Sequence, residues 1–122
     1  MDEYERQQRI MVRIGVDLCK KLQDDIVLLF AMEDKVTSVS LVAFFQRKEN
    51  ESELRGEVTG KWWKYEYEMG ICRVFQIMMN LSPPKQRWSL SEITDMMQVY
   101  IEVLKDERDT KQRYYYSKFS NN

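Results

Sequence analysis

The 122 residues contain no histidine. That absence removes Ser-His-Asp and Cys-His nucleophile activation and every histidine-containing metal site. It also removes the side chain whose ordinary pKa lies closest to neutrality. Cysteine is nearly as scarce: Cys19 and Cys72 stand far apart with no CxxC spacing, and they read as small buried hydrophobes rather than ligands. The four glycines, at positions 15, 56, 60 and 70, match neither GxGxxG nor GxxxxGKS/T, so no phosphate-cradling loop is expected. What remains for chemistry is Asp, Glu, Lys, Tyr and Arg, and the expectation is a non-enzyme with no metal and no cofactor.

Long apolar runs are missing too. The longest cover residues 26–32 and 41–45, far short of the roughly 18–20 residues that cross a bilayer. The N-terminus, Met1-Asp2-Glu3-Tyr4-Glu5-Arg6, is charged and polar, so no secretory signal is expected and the expected compartment is the cytoplasm. Nineteen basic and 20 acidic residues give a net charge of −1, which supplies no long-range pull toward nucleic acid or an anionic membrane.

Core material is plentiful, with 43% hydrophobic residues beside 32% charged ones. A chain of this size buries roughly two-thirds of its unfolded surface as one domain, here taken as residues 1–122. Polar clusters at 33–35, 48–52 and 81–87 divide it. Residues 2–31 read as a helix: Ile10, Ile14, Leu18, Leu22, Ile26 and Leu29 recur near the helical period, opposite Arg9, Arg13, Asp17, Lys20 and Asp24. Gly15 interrupts that helix, either as a place where a neighbour comes close or as a tolerated blemish. Residues 89–113 read as a second long helix. Ser89-Leu90-Ser91-Glu92 is a capping box, Ile93, Met97, Tyr100 and Leu104 line one side, and Glu107/Lys111 and Asp109/Arg113 are favourable pairs four apart. Pro83 and Pro84 bar a helix from entering upstream.

Between them, residues 54–62 alternate strictly. Leu54, Gly56, Val58, Gly60 and Trp62 fall on one side and Arg55, Glu57, Thr59 and Lys61 on the other. Period two with β-branched and aromatic residues predicts strand. The expected fold is therefore α+β: a long N-terminal helix, an antiparallel β-meander over 36–80 with a turn at 48–52, and a long C-terminal helix. The alternative is an all-α four-helix bundle, because Trp63, Tyr67, Ile71, Val74, Met78 and Leu81 also keep helical spacing.

On a strand, the adjacent Trp62 and Trp63 point to opposite faces, so a bulge or a second covering layer is needed there. Trp62, Trp63, Lys64 and Tyr65 are accordingly the candidate partner-binding residues, with core packing as the plainer reading. The expected function is a small protein-interaction module that binds a protein partner, a second copy of itself included. The second candidate is the tail at 114–122 with the residues before it. Lys111, Arg113, Tyr114, Tyr115, Tyr116 and Lys118 combine cations with aromatic rings as single-stranded nucleic-acid binders do. The near-neutral charge disfavours that reading.

Three further patterns carry little. Glu33-Asp34-Lys35 imitates half of a metal-dependent nuclease site, but the upstream acids Asp17, Asp24 and Asp25 belong to a helix. Trp88-Ser89-Leu90-Ser91-Glu92-Ile93 imitates the opening of a helix-turn-helix unit, yet the apolar period runs on to Leu104 with no second short helix. Met69, Met78, Met79, Met96 and Met97 fall on apolar stripes and read as core filling.

Overall fold

Asp2 starts the first helix, its carboxylate accepting the Glu5 backbone N–H at 2.8 Å. The computed structural model describes residues 2–120, with side chains for residues 2–106. It contains four helices: α1 (Glu3–Met32), α2 (Ser38–Thr59), α3 (Trp62–Asn80) and α4 (Leu90–Ser120). Helix accounts for 84% of the chain, and the described residues contain no strand. The only β-type pairing among them is an isolated bridge between Thr37 and Arg87.

The β-meander expected over 36–80 is therefore overturned; the segment forms α2 and α3, and the four-helix alternative is the architecture. Residues 48–52 are not a turn but the middle of α2. The cause is visible in what each helix buries. In α2 the inward stripe is Leu41, Phe44, Phe45, Glu49, Ser52 and Gly56, and in α3 it is Glu68, Ile71, Cys72, Phe75, Gln76 and Met79. Polar residues occupy core positions, so hydrophobic residues alone do not trace the helical period. Leu54 and Val58, which suggested alternation, are exposed. Gly60 ends α2 in the left-handed region at φ 71°, a conformation glycine adopts at no steric cost.

The buried polar groups are paired across the α2–α3 seam. Glu49 accepts from Gln76 Nε2 at 2.6 Å and from Arg73 at 2.6 Å. The Ser52 hydroxyl donates to Glu68 at 3.3 Å, and Arg55 donates to both Ser52 (3.0 Å) and Glu68 (3.4 Å). No buried side-chain nitrogen or oxygen among the described residues is left without a partner, as the cost of an unmade buried bond demands.

α2 packs along α3, and α1 packs along α4 and touches α3. The short connection through Gly60 and Lys61 makes α2 and α3 antiparallel. α1 and α4 are antiparallel as well: Gln23 reaches Thr94, while Gly15 meets Leu104. A Cβ on Gly15 would lie 3.0 Å from both the Leu104 methyl and the Tyr67 hydroxyl, so the bare backbone lets both neighbours close in. The Phe45 and Phe75 rings stack at 5.1 Å, and Phe75 meets Tyr100 edge-on at 5.1 Å. Each such ring or aliphatic side chain taken out of water is worth about 1.5–3 kcal/mol.

At one end of the bundle the two connecting loops are tied together. Trp88 N–H donates to the Val36 carbonyl at 2.9 Å, Ser38 N–H to the Gln86 carbonyl at 3.0 Å, and the Trp88 indole to the Ser38 hydroxyl at 2.9 Å. The Ser89/Glu92 capping box forms as its residues dictate, and Thr37 with Ser40 makes another at the start of α2.

Candidate functional site

Everything at the candidate site follows from the glycine turn at position 60. α3 begins at Trp62, two residues after that turn, and on a helix neighbouring side chains diverge by about 100°. Trp62 and Trp63 therefore part company without the bulge or second layer that a strand required. Trp62 folds back over Gly56, where an added Cβ would stand 2.6 Å from the indole ring. It is 36% exposed. Trp63 is 59% exposed and helps to line an open groove of about 520 Å³ with Gln7, Gln8, Ile10 and Met11 of α1.

Lys64 and Tyr65 belong to a second hollow, a cleft of about 340 Å³, lined also by Asp17 and Lys21 of α1, Arg55 of α2 and Glu68 of α3. Ile14 and Leu18 supply its apolar lining. Glu68 is nearly buried and is held by Ser52 and Arg55. The Arg55 guanidinium and the Lys64 ammonium both lie on the Tyr65 ring, 5.7 and 5.2 Å from its centroid. The four residues singled out from the sequence thus do not form one surface. Trp63 faces the groove, Lys64 and Tyr65 face the cleft, and Trp62 covers a glycine.

Sequence reasoning missed Ile10 and Met11, because Ile10 had been placed on the core stripe of α1. The buried stripe keeps Leu18, Leu22 and Ile26 of the expected set and adds Val12, Gly15, Val16 and Cys19; Ile10 lies to its side and is 41% exposed. Arg55 was missed because alternation placed it on the polar side of a strand, and Glu68 because no pattern singled it out.

The other candidates are dispersed. Glu33, Asp34 and Lys35 are exposed in the α1–α2 loop, and Asp25 is paired with Lys48 at 2.8 Å. Among the described residues no group of three His, Cys, Asp or Glu side chains converges as a metal site would. Burial pushes the Cys19 thiol up to about 12. Burial, followed by the nearby Glu49 and Glu68 carboxylates, does the same for Cys72. Met79 and Met97 are in the core, with Met78 and Met96 packed against it. The side chains of Lys111, Arg113, Tyr114, Tyr115, Tyr116 and Lys118, and of the expected Glu107/Lys111 and Asp109/Arg113 pairs, lie outside the described residues. No helix among the described residues is long and apolar enough to cross a membrane. No protein-family model, curated protein or solved structure matches this chain.

Proposed function

We propose that this chain is a non-catalytic helical docking module that receives a segment of another protein in the groove at Trp63. One observation carries the reading: an indole 59% exposed beside Ile10 and Met11 in a hollow of about 520 Å³. Tryptophan is the residue most enriched among those that dominate binding energy, and it does so from apolar pockets rimmed by polar side chains. Gln7 and Gln8 supply such a rim. The absence of histidine and the high pKa of both thiols support a role without chemistry. The two free, buried cysteines suit the reducing cytoplasm, where the proposal places the protein.

The test is affinity capture from native lysate by wild type and by Trp63→Ala, with Leu81→Ala as the control. Leu81 is 83% exposed after the last turn of α3. The expected result is a set of proteins held by wild type and Leu81→Ala but reduced about tenfold or more by Trp63→Ala. Light scattering of the same three proteins covers self-association: a dimer that Trp63→Ala alone converts to monomer makes the partner a second copy. Equal capture and equal mass across all three would dispose of the proposal.

A further inference from the structure

The groove at Trp63 and the cleft at Tyr65 have no lining residue in common, but both lie along α1. On α1, positions 7, 11, 14, 18 and 21 follow one another at intervals of three and four, which places them in a single line along the helix. The first two line the groove and the last three line the cleft. Opposite them, Trp63 and Lys64 are adjacent in sequence. The two hollows therefore follow one another along a strip of α1, apolar at its start and charged further along. Ten residues separate Met11 from Lys21, about 15 Å at the helical rise.

The charged part is unbalanced. Lys21, Arg55 and Lys64 face two carboxylates, Asp17 and Glu68. Glu68 is already engaged by Ser52 and Arg55, which leaves Lys21 and Lys64 against Asp17. In addition, Arg55 and Lys64 are both held on one tyrosine ring, 5.7 and 5.2 Å from its centre. The Asp17 carboxylate disfavours a phosphate dianion in the same space, and the chain's net charge of −1 draws in no polyanion. A singly charged carboxylate attached to an apolar anchor fits both halves of the strip.

We infer that the occupant is an acidic amphipathic helix of a partner protein, its bulky apolar residue against Trp63 and its Asp or Glu in the Lys21–Lys64 cleft. The inference rests on the docking role proposed for Trp63 and adds the chemistry of what docks. Helix follows from the walls: they are the sides of helices, and the described residues offer no sheet edge for an extended peptide to join. The strip sets the spacing as well. Anchor and carboxylate are separated by about 10–15 Å, or two to three helical turns.

The experiment is a display selection on the full chain, using a library of helical peptides randomised on one face. The selections run in parallel on wild type, Trp63→Ala, Lys21→Glu/Lys64→Glu and the milder Lys21→Gln/Lys64→Gln. Wild type is expected to enrich peptides with Leu, Ile, Phe or Trp at one position and Asp or Glu two to three turns away. The glutamine pair should lose the acidic preference, and the glutamate pair should replace it with Lys or Arg. Isolated wild-type binders should weaken about tenfold on the glutamate pair, and that loss should shrink as salt rises. An apolar consensus that depends on Trp63 but is indifferent to charge would overturn this inference and leave the docking role standing. A consensus unchanged by Trp63→Ala, or no enrichment at all, would overturn both.

Discussion

At Gly56 an added methyl would meet the Trp62 ring at 2.6 Å, whereas at Gly70 it would meet nothing within 4 Å. Gly70 lies inside α3, where alanine is preferred, so Gly70→Ala should raise stability by about 0.5–1 kcal/mol. Gly56→Ala gains the same helical preference but must push the indole off its seat, for a net loss of about 1–2 kcal/mol. Urea unfolding midpoints on opposite sides of wild type would verify the pair. The thiols make a second prediction. Cys19 and Cys72 are raised from 9.0 to about 12 in the folded protein. Below pH 9 both states keep the proton and these groups do not change stability with pH. Between about pH 9 and 12 the unfolded chain gives up thiol protons that the folded chain retains, so stability falls as pH rises. Denaturation at a series of pH values should show that decline, and Cys72→Ala should make its slope shallower. A slope identical to that of wild type would contradict the account.

The α2–α3 seam carries the prediction for helices. Glu49→Ala removes the acceptor for the Gln76 amide in a buried position, an unsatisfied donor and a cavity together, for a loss of about 2–4 kcal/mol. Replacing Glu49 and Gln76 together, as in Glu49→Leu with Gln76→Leu, should be nearly neutral, since a buried polar pair exchanged for apolar residues often is and the Arg73 side chain, 60% exposed, can turn to water. A double variant as damaged as the single one would refute this, by chemical denaturation. The same seam explains what the sequence concealed. α1 and α4 were legible because apolar residues follow their inward faces and Ser89 with Glu92 announces a helix start. α2 and α3 were not, because Glu49, Ser52, Glu68 and Gln76 hold core positions and leave an accidental alternation from Leu54 to Trp62 as the strongest pattern. The site was legible in the same measure. Trp63 stood out as a surplus aromatic residue. Ile10 and Met11 could not, since only the rotation of α1 against its neighbours decides which of its apolar residues stay outside.

Across the whole molecule the two ends of the bundle differ. The loops at one end are cross-tied through Val36, Ser38, Gln86 and Trp88; the opposite end has the short Gly60–Lys61 connection and the first turns of α1. Amide hydrogen exchange should therefore be slowest near Leu41, Phe45 and Met79, and faster from Val58 to Tyr65 and in the first turns of α1, because local opening follows the density of tertiary ties. Uniform protection along α1 and α2 would count against it. The asymmetry also bears on Trp63, which stands at the less tied end. A guest lodged there would act as a clasp on the pole that breathes most, slowing its exchange and raising the melting temperature with the logarithm of the guest's concentration. Recognition and local rigidity would then be one event, and a thermal shift would report the right partner before its contacts had been mapped.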